Sequence, residues 1–309
     1  MNRKLSRIIA ASVVGILAVS VLGAILLCEV ALRLGRKPLT EKTRVLAERG
    51  ARQLGAEMHE VQIASFDGAQ LSAWFFRPQQ SRGDTVILLH GHADNRAGML
   101  GFVPMLLHHQ YNILVPDARA HGESGGDIAT YGLYESRDLS HWLDCLSSQS
   151  NQGCVYALGE SMGAGILLQT LSNESRFCAA VAESPYASFR EVAYDRLSQK
   201  FCMEPGVGRF LFAPLVSEAF LYAKLRYGID FDQEKPGESV ASTHVPILLI
   251  HGTEDFNIPL RHCEVILKNH SGVMEFWQVP GAGHTGAFGC EPQEFERRVT
   301  DWFSRFSQR

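Results

Sequence analysis

Val155-Tyr156-Ala157-Leu158-Gly159-Glu160-Ser161-Met162-Gly163-Ala164, continuing through Gly165 to Leu171, decides how this chain is read. Four apolar residues lead in, as a buried strand does, and a helix-like run follows from Ala164. The G-x-S-x-G set between them therefore sits at a strand–turn–helix junction. There the glycines let the backbone pass close to its neighbours, while the serine takes a strained, exposed position that aims its hydroxyl into a site. By itself the pattern is weak, because a plain glycine-rich turn also satisfies it. The flanks favour Ser161 as a nucleophile.

On either side of this junction, short apolar runs alternate with helix-length segments: Val86 to Leu89, Ile113 to Val115, Ala179 to Ala182, Ile247 to Ile250 and Phe276 to Val279. Runs of this kind read as buried parallel strands with crossover helices, an α/β fold. Ahead of them, Val61 to Ser65 and Leu71 to Phe76 alternate apolar and polar residues around Asp67-Gly68, which predicts an antiparallel hairpin at the start of the sheet. From about Ser188 to Thr243 the rhythm breaks. This interval holds Phe201, Phe210, Phe212, Phe220, Tyr222 and Tyr227, and its length predicts a lid or cap inserted between two strands.

A serine hydroxyl is a poor nucleophile unless a histidine takes its proton and a carboxylate fixes that histidine's tautomer. His284 follows the last strand run in Gly281-Ala282-Gly283-His284, a loop able to carry an imidazole over the serine. It is one of 12 histidines, so an ordinary surface histidine is the competing reading. For the acid, the run ending at Ile250 leads into His251-Gly252-Thr253-Glu254-Asp255, at the carboxyl end of a strand where α/β sheets gather their sites. Asp255 is the expected acid, with Glu254 as its neighbour and Glu183, before Ser184-Pro185, as its rival. The alternative for each carboxylate is a helix cap or a surface charge.

The order Ser161, Asp255, His284 resembles that of the α/β-hydrolase superfamily, over about Glu60 to the C-terminus. Leu88-Leu89-His90-Gly91-His92 is similar to its HG-x oxyanion loop, Asp117-Ala118-Arg119-Ala120-His121-Gly122-Glu123-Ser124 to its D-x-R-G-H-G-x-S stretch, and His251 to Asp255 to its HG-x-x-D acid loop. Tyr131-Gly132 with Glu135 and Asp138, and Ser184-Pro185-Tyr186, resemble a branch of single-domain, often membrane-anchored serine hydrolases. Ala120 departs from the usual glycine. The resemblance implies a mostly parallel sheet with flanking helices and an oxyanion hole made by the backbone N–H groups of His92 and Met162. It also implies a Ser161–His284–Asp255 triad that works through an acyl-enzyme with no cofactor. Asp117, Arg119 and His121 are expected to be structural.

Ile8 to Cys28 carries no charge and follows Arg3, Lys4 and Arg7; as a helix it spans about 31 Å, a bilayer core. An uncleaved anchor is expected rather than a signal peptide, because no small-x-small site follows closely. Arg33, Arg36, Lys37, Lys42 and Arg44 lie beyond it, so the side of the membrane stays open. The expected organisation is an anchor over 1–37, a juxtamembrane helix over 38–59 with Thr40 as N-cap, and a catalytic domain over 60–309 with its lid at about 188–243.

Across the 309 residues, 29 Lys and Arg against 33 Asp and Glu leave no basic footprint, so nucleic acid is not an expected partner. The seven cysteines form no C-x-x-C pair and imply no metal. Cys145 and Cys154 flank a helix-to-strand connection and could in principle pair, but free buried thiols are the expectation. With the anchor and the aromatic insertion, the expected substrate is a lipophilic acyl ester or thioester. An amidase on the same residues, or a non-catalytic binding protein of the same fold, is the alternative.

Overall fold

The computed structural model describes residues 3–33, 35–148 and 153–307, so the outermost ends assigned to the anchor and to the catalytic domain lie outside the described residues. The described chain divides into two compact units. One joins the N-terminal helix to Phe189–Gln233; the other holds the sheet and the remaining helices.

The larger unit is an eight-stranded sheet. Its strands are β1 (Ala56–Ala64), β2 (Gln70–Pro78), β3 (Thr85–Leu89), β4 (Asn112–Pro116), β5 (Val155–Glu160), β6 (Phe177–Glu183), β7 (Ile247–Gly252) and β8 (Met274–Val279). They lie in the order β1-β2-β4-β3-β5-β6-β7-β8. β1 and β2 form the antiparallel hairpin, β2 runs antiparallel to β4, and every other pairing is parallel. The register against β2 carries β1 back to Ala56, so the sheet begins inside the stretch assigned to the linker.

The central strands read as unbroken apolar runs because both faces are covered. Val86, Leu88, Ile113 and Val115 point into one core, and Ile87, Leu114, Ala157 and Leu249 into the other. With α1 (Arg3–Leu32) in the smaller unit, the helices continue as α2 (Glu41–Gln53), α3 (Val103–His108), α4 (Glu135–Ser147) and α5 (Met162–Thr170). Thr40 caps α2, its hydroxyl accepting from the Thr43 N–H at 3.1 Å.

The cysteine expectation is corrected by the sheet. Cys154 bonds not to Cys145 but to Cys178, with the two Cα atoms 5.7 Å apart. Cys154 immediately precedes β5 and Cys178 lies on its neighbour β6, so the pair becomes adjacent only once those strands are parallel partners. Cys145, on α4, is free.

The smaller unit packs α1 with α6 (Phe189–Lys200) and α7 (Pro205–Tyr227). Phe189 and Phe220 stack, and Phe231 packs tilted against both, with ring centroids 4.9 to 5.9 Å apart. Gly228 ends α7 at φ +71°, a left-handed C-cap that glycine adopts without a Cβ penalty. In the larger unit the chain closes through α8 (Pro236–Ser239), α9 (Arg261–Asn269), α10 (Ala287–Cys290) and α11 (Pro292–Arg305).

Candidate active site

Ser161 stands between the end of β5 and the start of α5 at φ +51°, ψ −111°, a conformation that L-residues rarely hold. Two glycines make it possible. A Cβ at Gly159 would meet the backbone of Gly163 and Ala164, and one at Gly163 would collide with the carbonyl oxygen of Leu89 on β3. The Ser161 N–H donates to the Glu183 carbonyl oxygen at 2.9 Å, which ties the turn to the neighbouring strand β6.

His284 and Asp255 reach this serine from separate loops. His284 Nε2 lies 2.8 Å from Ser161 Oγ, and Nδ1 lies 2.8 Å from Asp255 Oδ2. The chain is satisfied when Ser161 donates to Nε2 and Nδ1–H donates to the carboxylate. The two loops are stitched to each other. Thr253 N–H donates to Val279 O, Glu254 N–H to Ala282 O, and Gly281 N–H to the Thr253 hydroxyl, all within 3.0 Å.

Asp255 has no exposed side-chain surface, and burial alone would raise its carboxyl. The bonds from His284 and from the Ile258 N–H outweigh that and hold it below the ordinary aspartate value. Its other oxygen, Oδ1, accepts from the N–H groups of Asn257 at 3.0 Å and Ile258 at 2.9 Å. Glu254 is exposed.

Glu183 does not contact the imidazole. Its Oε1 accepts the Ala287 N–H at 2.9 Å, three residues beyond His284, so it holds the histidine loop rather than the ring. Burial, opposed by that hydrogen bond and reinforced by the charge of Asp255, pushes its carboxyl up to about 7. Glu160, whose strand position pairs with Glu183, is pushed up to about 8 by burial and then by Glu183 and Asp94. Ser184, at φ +51°, accepts from the Thr285 N–H at 3.2 Å and adds a second tether. Neither tether had a signature in the amino-acid pattern, since each is a side chain meeting backbone a hundred residues away.

Met162 directly follows Ser161 as the first residue of α5, where a backbone N–H has no partner inside the helix. His92 lies on the loop after β3, beside Gly91, whose Cβ position is 3.7 Å from Ser161 Cβ. The His92 ring is exposed and stacks on Tyr131 with centroids 5.9 Å apart.

The Asp117-to-Ser124 loop is a brace. Asp117 accepts the Arg96 and Glu123 N–H groups at 2.7 and 2.8 Å, and Arg119 bonds Asp138 and Asp67 within 2.9 Å. His121 meets His90 edge to face, and burial pushes the His90 imidazole down to about 4 and keeps it neutral. Ala120 sits at φ +60°, a left-handed turn that explains why glycine is the commoner occupant. A recess of about 610 Å³ opens between the starts of β6 and β7, at the opposite ends of the strands from Ser161. Among the described residues, no group of three or more His, Cys, Asp or Glu is arranged to hold a metal.

Residues 84–201 match the family model of the alpha/beta hydrolase fold. YqkD of Bacillus subtilis (strain 168) is 26% identical over 251 residues, 79% of this chain and 79% of that protein. The lysophosphatidylserine lipase ABHD12 of Macaca fascicularis is 27% identical over 195 residues, 61% of this chain and 46% of its own length. Among solved structures, the Pyrococcus furiosus esterase Pf2001 superposes with a TM-score of 0.70 at 23% identity, covering 90% of this chain and 99% of that one.

Proposed function

We propose that this chain, which has the alpha/beta hydrolase fold and matches that family model over residues 84–201, cleaves carboxylic esters or thioesters of lipophilic acyl groups through an acyl-enzyme on Ser161. The observation that carries this reading is the unbroken chain Ser161 Oγ, His284, Asp255, each link 2.8 Å, ending on a serine held at positive φ. Ser161 attacks the acyl carbonyl as His284 Nε2 takes its proton. Asp255 keeps the other ring nitrogen protonated and steadies the imidazolium. The N–H groups of Met162 and His92 receive the negative charge that develops on the carbonyl oxygen. His284 then returns the proton to the leaving group, and water releases the acyl group by the same steps in reverse.

The lipophilic preference is supported by α1, whose Ala10–Leu32 is apolar and long enough to cross a membrane and would keep the enzyme beside lipid. The similarity to a lysophosphatidylserine lipase agrees with it. The Cys154–Cys178 bond supports placing the catalytic unit on an oxidising side of that membrane.

A fluorophosphonate probe should label the protein on Ser161, and Ser161→Ala should abolish both labelling and turnover while leaving the fold intact. Folded protein that takes no label would overturn the enzyme reading in favour of a binding protein. Across p-nitrophenyl esters, the rate should rise beyond acetate with chain length; a flat series would remove the lipophilic part alone. Faster cleavage of the matched acyl anilides than of the esters would make the protein an amidase.

A further inference from the structure

Helix α7 has two apolar faces, and only one is used inside its unit. Val216, Ala219, Phe220 and Ala223 are buried. Val207, Leu211, Pro214, Leu221 and Leu225 recur at spacings of four and three residues, with Glu218 filling the single gap, and so fall on one stripe of the helix. The stripe is open: Leu221 is 57% and Leu225 79% exposed, and Phe210 beside it 80%.

Glu218, the one polar member, is turned aside. It accepts a hydrogen bond from the Ser20 hydroxyl at 2.6 Å, and Ser20 lies within the uncharged run of α1. Next to it, Leu215 reaches 3.4 Å from the Cβ position of Gly23. Farther along both helices, the Tyr222 and Tyr227 hydroxyls donate to Glu29 at 2.8 and 2.5 Å, and Arg33 lies over the Tyr227 ring. α1 and α7 thus run in the same direction. The stripe lies beside the apolar span of α1, and α7 ends where the charges of α1 begin.

We infer that this stripe faces the hydrocarbon edge of the bilayer that α1 crosses, so that the α6–α7 insertion is itself seated in lipid; the inference rests on the anchor reading of α1. Three features favour lipid as the occupant. The apolar window of α1 is almost wholly exposed, and an open face continuous with it shares whatever covers it. Tyr222 and Tyr227 with Lys224, Arg226 and Arg33 form the aromatic and basic belt that membrane proteins place at the headgroups. The charged helix α6 packs on a different face of α7, through Ser198 against Gly208, Arg190 on Ser217 and Glu191 on Arg209, and so leaves the stripe clear.

The test uses the full chain reconstituted in phosphatidylcholine vesicles, with an environment-sensitive fluorescent amino acid in place of Leu211, Leu221 or Leu225. Matching probes replace Ile16 on α1 and Arg196 on α6. With spin-labelled lipid added, the three stripe probes should lose most of their emission, as the Ile16 probe does, while the Arg196 probe stays bright. Stripe probes as bright as Arg196 beside a quenched Ile16 overturn the inference and leave the anchor standing. If Ile16 is also unquenched, both fall. Stripe probes shielded from water yet unquenched, in a chain that sediments as a dimer, overturn it in favour of a second copy. A benzophenone side chain in place of Phe210, where the volume change meets open space, must capture an acyl chain on illumination; capture of protein alone has the same contrary meaning.

Discussion

Replacing Asp255 by asparagine preserves shape and removes charge, and the surrounding hydrogen bonds dictate how the new amide must lie. Oδ1 is held by two backbone donors, the N–H groups of Asn257 and Ile258. An amide NH₂ in that place would face two donors, so the amide oxygen is forced there and the NH₂ is forced into the place of Oδ2. That position faces His284 Nδ1 at 2.8 Å. A donor there requires Nδ1 to be the acceptor, which moves the ring proton to Nε2 and leaves nothing to take the proton of Ser161. The fold is unchanged, but the ring is in the wrong tautomer. The corresponding change in a serine protease lowers kcat on the order of 10⁴-fold, or about 5.5 kcal/mol of transition-state stabilisation, and the same order is expected here. The assay is kcat and KM on p-nitrophenyl butyrate, with fluorophosphonate labelling rate as a second readout. KM and the thermal midpoint should hold. A loss in kcat below about tenfold would refute the assignment, since it would mean that a group other than Asp255 orients the ring.

Gly163→Ala should lose activity and about 1–3 kcal/mol of stability, because its methyl would press on the Leu89 carbonyl, whereas Gly289→Ala, with open space around it, should do neither; equal urea midpoints for the two would contradict this. Cys154→Ser should cost roughly 3.5 kcal/mol for a loop of this length, and denatured, unreduced protein should titrate five thiols, with seven after reduction. A count of seven before reduction would dispose of the Cys154–Cys178 bond. Glu183 binds a proton in the fold up to about pH 7 that the unfolded chain releases near 4.5, so its contribution weakens stability as pH rises between those values. Relative to the native protein, Glu183→Gln should therefore gain in urea midpoint from pH 5 to pH 7.5; a constant difference would show that the carboxyl is already ionised at pH 5.

The strands were legible because a sheet covered on both faces needs unbroken apolar runs, and those runs lie close to where β3 to β8 form. Ser161, Asp255 and His284 were legible because each follows such a run at its carboxyl end. What stayed hidden depends on neighbours in space. Cys178 becomes the partner of Cys154 only through the order of β5 and β6. Glu183 looked like a rival acid because its position at the end of β6 is right; the direction of its carboxylate, toward the Ala287 N–H, has no trace in the local residues. Likewise the aromatics between 188 and 243 announced an insertion but not its attachment, since Glu29 and Ser20 lie nearly two hundred residues earlier.

The bonds between α1 and α7 also bear on how the protein is prepared. Deleting the N-terminal helix to obtain a soluble enzyme would do more than remove a tether. It would strip Glu218, Tyr222 and Tyr227 of their hydrogen bonds to Ser20 and Glu29 and uncover the flank of α7 at Leu215. Such a shortened chain would be a poor stand-in for the native enzyme in substrate screens, prone to clump and to bind detergent where its own first helix belongs.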